Sequence, residues 1–309
     1  MKRDLCLVGQ QLTITAPDDD VYLATMLPNG PSDLEHIFTL FCKGGYNVID
    51  VGANIGITAA IAGILVSPGS VLALEPVAEA FGYLADNIER AALRNVKCLN
   101  VAAASTEGRV NLISNPGHNF AAFVGYENVL ERYPGYAEEL VMALTLDQLA
   151  TDHDLSRIDF IKIDVEGYEL EVLRGAKRLL QQFQPIVFLE VNHYCLNVFR
   201  KISIVDFIEE VLSIFPCVYA VDTTLEVLDL TDYTTHSGFF HENVVRSRFP
   251  NLLCGFTPDV MRSMDSLRPI VSSDTGQLVP TAIPQPLTSG SFGTKRRLAS
   301  RLRSILTRP

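Results

Sequence analysis

Residues 47–60, with the sequence NVIDVGANIGITAA, constrain the fold of this chain more than any other stretch. β-Branched residues surround Asp50, and Gly52, Asn54 and Gly56 then lead into a run of small apolar residues. A short strand, a glycine-rich turn and a helix in this order are typical of α/β sheets that form a ligand pocket at the carboxyl end of their first strand. We therefore expect a cofactor site beside these residues.

Strands and helices alternate along most of the chain. The patterns predict strands at 47–51, 71–75, 96–104, 158–164, 185–191, 217–221 and 251–256. Helices are predicted at 56–66, 77–92, 168–181 and 204–215. Because strand–helix–strand units pair in parallel through right-handed crossovers, the sequence predicts a Rossmann-like α/β fold with a mostly parallel sheet and helices on both faces.

The ends of the chain differ from this alternating region, so we predict three parts. Residues 1–46 form a lead-in with a hairpin and a helix at 33–42, and residues 47–257 form the main domain. Residues 258–309, rich in proline, serine and threonine, form a disordered linker and a basic amphipathic tail. Within the main domain, residues 115–139 lack clean periodicity, which predicts a long loop over the pocket.

The charge distribution restricts the partners of the chain. Its 309 residues have a formal net charge of −11, although the last twenty residues contain six basic and no acidic side chains. An acidic body repels polyphosphates, so we expect a small-molecule or glycan partner and no nucleic acid. The basic tail could contact an anionic membrane surface, but a solvated tail is the simpler interpretation.

The cysteines and the apolar runs indicate the compartment. None of the six cysteines forms a CxxC motif, and no apolar run is long enough for a signal peptide or a membrane span. Unpaired cysteines in an apolar chain are typical of reducing conditions, so we predict a cytoplasmic protein.

The glycine spacing distinguishes between two nucleotide cofactors. Counted from Gly52, the dinucleotide motif G-x-G-x-x-G requires glycine at positions occupied by Asn54 and Ile57. Glu75 ends the second strand, where a carboxylate can accept hydrogen bonds from two ribose hydroxyls. S-Adenosylmethionine, which adds an amino-acid end to adenosine, fits this pattern better than NAD. The alternative is an ordinary strand–helix turn with an unrelated glutamate.

A second motif, IDFIKIDVEGYELEVLRGA, begins at Ile158. Asp164 ends its strand, Glu166 and Gly167 form the turn, and Lys162 lies on the same strand face as Asp164. A buried lysine beside acids must be paired, because unpaired burial costs several kcal/mol. Lys162 is therefore either part of a structural ion pair or a residue that orders an active site.

Together with LALEP and LTLDQL, these two motifs resemble the FkbM family of methyltransferases over roughly residues 45–195. The resemblance implies a class I methyltransferase fold and methyl transfer from S-adenosylmethionine, usually to a hydroxyl oxygen of a sugar, glycan or secondary metabolite. The cofactor contacts that we assign from the resemblance and the motif positions are Asp50, Gly52, Asn54, Gly56, Glu75, Ala102 and Asp164.

Proton removal from a hydroxyl acceptor requires a base, for which Asp164, Glu166 and His193 are the candidates. We expect Lys162 to order the catalytic site, and Glu190 and His118 to contact the substrate. The carboxylates Asp164, Glu166 and Glu190 could gather around a divalent cation, but their spacing does not require one, and we predict no metal.

Two other functions remain open for this pattern. An NAD-dependent oxidoreductase is disfavoured by the missing glycines and because no tyrosine has a lysine four residues later. A non-catalytic module that binds S-adenosylmethionine would retain the same fold, although the intact acids Asp50, Glu75 and Asp164 argue against lost chemistry.

Overall fold

The computed structural model describes residues 1–115, 118–125, 131, 135–257 and 268–269. Its strands are β1 (Lys2–Leu7), β2 (Gln10–Thr15), β3 (Asn47–Val51), β4 (Ser70–Leu74), β5 (Val96–Leu99), β6 (Ala102–Ala103), β7 (Gly108–Asn115), β8 (His118–Val124), β9 (Ala137–Leu144), β10 (Phe160–Ile163), β11 (Ile186–Glu190), β12 (Cys217–Val221), β13 (Glu226–Asp229), β14 (Asn251–Gly255) and β15 (Arg268–Pro269). Its helices are α1 (Val21–Thr25), α2 (Ser32–Phe41), α3 (Ile57–Val66), α4 (Ala78–Arg90), α5 (Leu146–Asp152), α6 (Glu169–Arg174), α7 (Lys177–Phe183), α8 (Ile204–Ile214) and α9 (His236–Arg246), with a helical turn at His193–Cys195 that continues as a π-helix over Leu196–Arg200 and a 3₁₀ turn at Tyr233–Thr235. All these elements belong to one compact unit, Met1–Ile270.

The central sheet has nine strands in the order β15-β13-β12-β14-β11-β10-β3-β4-β5. The five strands from β11 to β5 are parallel to one another, whereas β14 pairs with β11 and β12 in the antiparallel sense. Apolar residues cover both sides of this sheet, which is the pattern of a sheet with helices on both faces. The predicted Rossmann-like fold is therefore confirmed.

Each face of the sheet has its own hydrophobic core. On one face, β1, β2, α2, α3 and α4 pack together through residues such as Leu5, Phe38, Ile61 and Leu84. On the other face, α5 to α8 form the core with the strands. Helix α3 is apolar along nearly its whole length because it lies between the sheet and the N-terminal elements.

A buried asparagine joins the N-terminal hairpin to the main domain. The side chain of Asn87 on α4 accepts a hydrogen bond from the Thr15 backbone N–H at 2.9 Å and donates to the Thr15 carbonyl at 2.8 Å. It also donates to the Ile55 carbonyl in the glycine-rich turn, at 2.9 Å. The predicted hairpin and helix of residues 1–46 are present, and this contact fixes the hairpin against the turn.

Two predicted elements were wrong in detail. The strand expected at 96–104 is divided into β5 and β6, because the side chain of Asn100 turns away to bind the carbonyls of Glu75 and Pro76. The helix expected at 168–181 is divided into α6 and α7 at Gly175, which packs so closely on Ala104 that a Cβ atom would lie 2.0 Å from its carbonyl oxygen.

The expected loop at 115–139 contains strand β8 and the beginning of β9. These strands form a second sheet, in the order β6-β9-β7-β8.

Strand β13 and helix α9 were not predicted at all. The linker and basic tail predicted for 258–309 lie outside the described residues, apart from Arg268–Pro269. Among the helices that the structure describes, none is long and apolar enough to cross a membrane.

Candidate functional site

A cavity of about 350 Å³ lies where the parallel strands β3, β4, β10 and β11 end. Eight of the residues that the sequence singled out line it: Gly52, Asn54, Glu75, Ala102, Lys162, Asp164, Glu166 and Glu190. The carboxyl ends of parallel strands converge at one edge of a sheet, which explains why residues distant in sequence meet there.

Four other predicted residues do not face this cavity or cannot be assigned to it. Asp50 is fully buried and does not line the cavity, and Gly56, which also does not line it, is the left-handed residue (φ 94°) immediately before helix α3. His193 is also outside the lining and begins the helical turn that follows β11. His118 begins strand β8, and its side chain lies outside the described residues.

Lys162 connects the buried Asp50 to the cavity. Its Nζ atom lies 3.5 Å from Asp50 Oδ1, 3.3 Å from Asp164 Oδ2 and 2.8 Å from the Gly52 carbonyl oxygen, to which it donates. Burial alone lowers the pKa of Lys162, but the charges of Asp164 and Asp50 more than offset this and hold the pKa above its usual value. Thr58 donates to the second oxygen of Asp50 at 2.7 Å. Lys162 is therefore a charged member of a buried network that orders the strand ends.

Gly52 is required by the contact between two turns. Its φ is +76°, and a Cβ atom there would lie 1.9 Å from the carbonyl oxygen of Asp164. A glycine at such a turn often lets the backbone approach a ligand closely. In the structure it lets the turn after β3 approach the turn after β10, which brings the two motifs to one cavity.

Glu75 and Asn54 lie together at the cavity wall. Glu75 is buried, and its two oxygens accept hydrogen bonds from the backbone N–H groups of Asn54 (2.8 Å) and Val77 (2.9 Å). Burial raises the pKa of Glu75 to about 7, although these two N–H groups act in the opposite direction. The side-chain oxygen of Asn54 is buried and accepts no hydrogen bond from the described residues. Asn54 as a residue lines the cavity.

Three carboxylates of the cavity wall lie close to one another. One oxygen from each of Asp164, Glu166 and Glu190 lies within 4.8 Å of the others. Glu166 has a left-handed backbone (φ 53°), and its Oε2 accepts hydrogen bonds from Asn192 (3.2 Å) and the Cys195 thiol (3.1 Å). Burial raises the pKa of Glu166 to about 7, and burial with the charges of neighbouring carboxylates raises the pKa of Glu190 well above its usual value.

The sequence did not reveal three residues of the cavity wall. Tyr22 from α1 and Leu34 from α2 reach it from the N-terminal segment, and Phe123 reaches it from β8. Phe123 stacks on Phe199, with ring centroids 3.6 Å apart. Periodicity in the sequence contains no signal for these residues, because their placement depends on how separate elements pack against the sheet.

The residues present fit an adenosyl amino acid. The cavity has a size typical of small-molecule sites, and its wall combines an apolar side around Ala102 with a few polar groups. The Glu75 oxygens have lone pairs that can accept from hydroxyl groups, and the unpartnered Asn54 oxygen is of a kind that can accept from an ammonium group. This combination matches the ligand that the glycine spacing predicted.

Comparison with known proteins gives matches in the same region. Residues 50–215, more than half of the chain, match the family model of the methyltransferase FkbM domain. Hexuronic acid methyltransferase AglP from Haloferax volcanii is 29% identical over 138 residues, which are 45% of this chain and 53% of that protein. Methyltransferase sdnD from Sordaria araneosa is 30% identical over 172 residues, and the match covers 46% of this chain and 66% of that protein. The chain thus spans between about half and two thirds of the length of these relatives.

Solved structures give more distant matches. An O-methyltransferase from Bacillus cereus in complex with SAH has 14% identity and a TM-score of 0.38, over 75% of this chain and 82% of that one. An O-methyltransferase proposed from Klebsiella pneumoniae has 13% identity and a TM-score of 0.40, over 74% and 80% of the two chains. Sequence identities and TM-scores this low do not indicate the activity of this chain.

The family match includes the second motif in full and the first motif from Asp50 onward. It begins at Asp50, contains the turn with Gly52 and Asn54, and extends through Asp164 and Glu190. The cofactor of this family is S-adenosylmethionine, in agreement with the glycine spacing and the cavity. Because the family model matches more than half of its length, the chain belongs to the FkbM family of methyltransferases.

Proposed function

We propose that this chain transfers a methyl group from S-adenosylmethionine to a hydroxyl oxygen of a sugar, glycan or secondary metabolite. The observation that supports this most directly is that Glu75, Asn54 and the cluster of Asp164, Glu166 and Glu190 line one cavity. Glu75 and Asn54 offer groups suited to an adenosyl amino acid, and the cluster offers carboxylates suited to a hydroxyl group.

The binding roles follow from the polar atoms at the wall. Glu75 would accept hydrogen bonds from the ribose hydroxyls, the Asn54 side-chain oxygen would accept from the ammonium group, and Ala102 would border the adenine. S-Adenosylmethionine, when bound, supplies a methyl group that its sulfonium already activates toward an oxygen nucleophile. Asp50 acts indirectly, because it holds Lys162 and through it the turn at Gly52.

The chain itself must then orient the acceptor and remove its proton. Asp164 and Glu166 are carboxylates on the cavity wall, so they are the bases that the fold offers to an acceptor hydroxyl. His193, the third candidate base in the sequence, is not among the residues that line the cavity. The relative whose name specifies hexuronic acid supports a carbohydrate acceptor for this chain as well.

Methyl-labelling tests this function. The full chain is incubated with S-adenosylmethionine labelled in its methyl group and with neutral sugars, hexuronic acids and hydroxylated small metabolites in turn. We expect label in a methyl ether of one acceptor class, with an equal amount of S-adenosylhomocysteine. Label on nitrogen would contradict the hydroxyl assignment, and NAD-dependent oxidation of an acceptor would contradict the function.

A pair of variants separates a base from a general effect of charge. Asp164→Asn should lower the rate of transfer at least about 100-fold, because a base contributes that much or more. Glu209→Gln makes a similar charge change at an exposed position on α8, and the rate should stay within about twofold.

A further inference from the structure

We propose that Asp164, Glu166 and Glu190 form a binding site for one divalent metal ion of the oxygen-preferring kind, such as Mg²⁺ or Mn²⁺. The three ligand oxygens lie within 4.8 Å of one another. Oxygens on opposite sides of one ion are about 4.2 Å apart around Mg²⁺ and about 4.8 Å apart around Ca²⁺, from the usual metal–oxygen distances. A separation within 4.8 Å suits Ca²⁺ without any movement, and a small rotation of the side chains brings the three oxygens to the spacing of Mg²⁺ or Mn²⁺.

The backbone holds these carboxylates in place. Ile163 and Leu189 are paired in the parallel strands β10 and β11, so Asp164 and Glu190 come next to each other one residue later. Glu166 is held by its hydrogen bonds from Asn192 and the Cys195 thiol, which orient one carboxylate oxygen and leave the other available. Second partners of this kind are the usual way in which proteins orient metal ligands.

A separate observation at Glu190 points to a missing partner. Its Oε2 atom is shielded from solvent and accepts no hydrogen bond from the described residues. Glu190 as a residue is half-buried, and it lines the cavity together with the other two acids. Buried carboxylate oxygens normally have partners, because leaving one without any is costly.

The protein supplies little positive charge to this cluster. Lys162 is the only basic side chain among the described residues of the cavity lining, and it is paired with Asp50 and Asp164. Neither Glu166 nor Glu190 forms an ion pair with a described basic residue within the usual distance. Three adjacent acids with one shared lysine would attract a divalent cation.

The role of the ion rests on the proposed function, whereas the binding site itself does not. A cation held here would accept the oxygen of the acceptor hydroxyl as a further ligand, fix its position and lower its pKa. Glu190 would then bind the acceptor through the ion, instead of by the direct contact that the sequence suggested.

Calorimetric titration of the metal ions alone tests the site. The full chain is freed of metal with a chelator, desalted and titrated with MnCl₂, MgCl₂ and CaCl₂ separately, with no methyl donor present. We expect saturable binding of one ion per chain for at least one of the three. Glu190→Gln, which keeps the shape of the side chain, should weaken that binding at least about tenfold.

The control is Glu209→Gln on the exposed surface of α8, which should leave the affinity within about twofold. Because Glu190→Gln removes an enclosed acid without a partner, its thermal midpoint without metal should equal or exceed that of the wild type. Absence of saturable binding at millimolar concentrations, or equal affinities in wild type and Glu190→Gln, would overturn the proposal. Metal binding without binding of any adenosyl ligand would instead refute the proposed function and leave the metal site in place.

Discussion

Lys162 and Asp50 lie opposite each other on the adjacent parallel strands β10 and β3, with 3.5 Å between Nζ and Oδ1. Asp50 is fully buried and Lys162 is 4% exposed, so this ion pair lies inside the protein. The same ammonium group donates to the carbonyl of Gly52 and lies beside Asp164. One buried lysine therefore joins the turns of both sequence motifs.

Removal of that lysine should strongly destabilise the fold. Lys162→Met leaves Asp50 buried without a cation, which typically costs about 3–5 kcal/mol. Arg178→Met is the matched control, because its ion pair with Asp147 involves an arginine that is 72% exposed and should contribute less than about 1 kcal/mol. The free energy of unfolding from urea titration measures both. Equal losses in the two variants would show that the buried pair has no special role.

Alanine at Gly52 should disrupt the junction of the two turns. Gly52 and Gly9 have nearly the same positive φ, +76° and +74°, but a Cβ atom at Gly9 meets nothing within 4 Å. Gly9→Ala should therefore cost only the backbone strain of about 1–2 kcal/mol. Gly52→Ala adds the clash with the Asp164 carbonyl and should cost at least about 3 kcal/mol. Unfolding free energies that agree within error would mean that the turns are not in close contact.

Affinity for S-adenosylhomocysteine should depend on pH through Glu75. Its pKa is about 7 in the free protein, and the ribose hydroxyls would donate to the ionised form. Binding should therefore weaken as the pH falls through 7, by about tenfold between pH 8 and pH 6. Titration calorimetry at several pH values measures this. Glu75→Gln should bind more weakly and lose most of the pH dependence, whereas a slope that the variant retains would assign it to another group.

Asn87 should control the attachment of the N-terminal hairpin. Asn87→Ala leaves the buried backbone groups of Thr15 and Ile55 without their side-chain partner and should cost about 2–3 kcal/mol. Hydrogen exchange should accelerate in β1 and β2 more than in β3 and β4. Asn197→Ala removes an exposed hydrogen bond to His193 and should cost less than about 1 kcal/mol. Unchanged exchange in the hairpin would contradict the role of Asn87.

The sequence predicted the parts of the site that depend on local pattern. Strands β3, β4 and β10 each have a short apolar run followed by a glycine or an acid, and these patterns place Gly52, Glu75 and Asp164 at strand ends. The alternation of strand residues also put Lys162 and Asp164 on one face. The sequence did not show that the Asp50 side chain lies in the interior and not at the cavity. That became clear only from the pairing of β3 with β10, which places Lys162 beside Asp50.

The remaining features depend on contacts between distant residues. The break between α6 and α7 arises because Gly175 packs on Ala104, which is 71 residues away in the chain by their numbers. Tyr22 reaches the cavity because the hairpin and α1 are fixed against the sheet, and its own sequence context contains no motif. The positions of the three carboxylates in the sequence also did not show that they meet. Glu190 ends strand β11, whereas Asp164 and Glu166 follow strand β10.

Titration calorimetry of the full chain with S-adenosylhomocysteine and with NAD, at a pH above the pKa of Glu75, tests most directly whether the cavity is an adenosyl amino-acid site. We expect S-adenosylhomocysteine to bind with one molecule per chain and NAD not to bind. Glu75→Ala should weaken that binding, whereas Glu209→Ala, at an exposed position on α8, should not. Binding of NAD alone, or of neither ligand, would contradict the assignment of Glu75 and Asn54 to the cofactor.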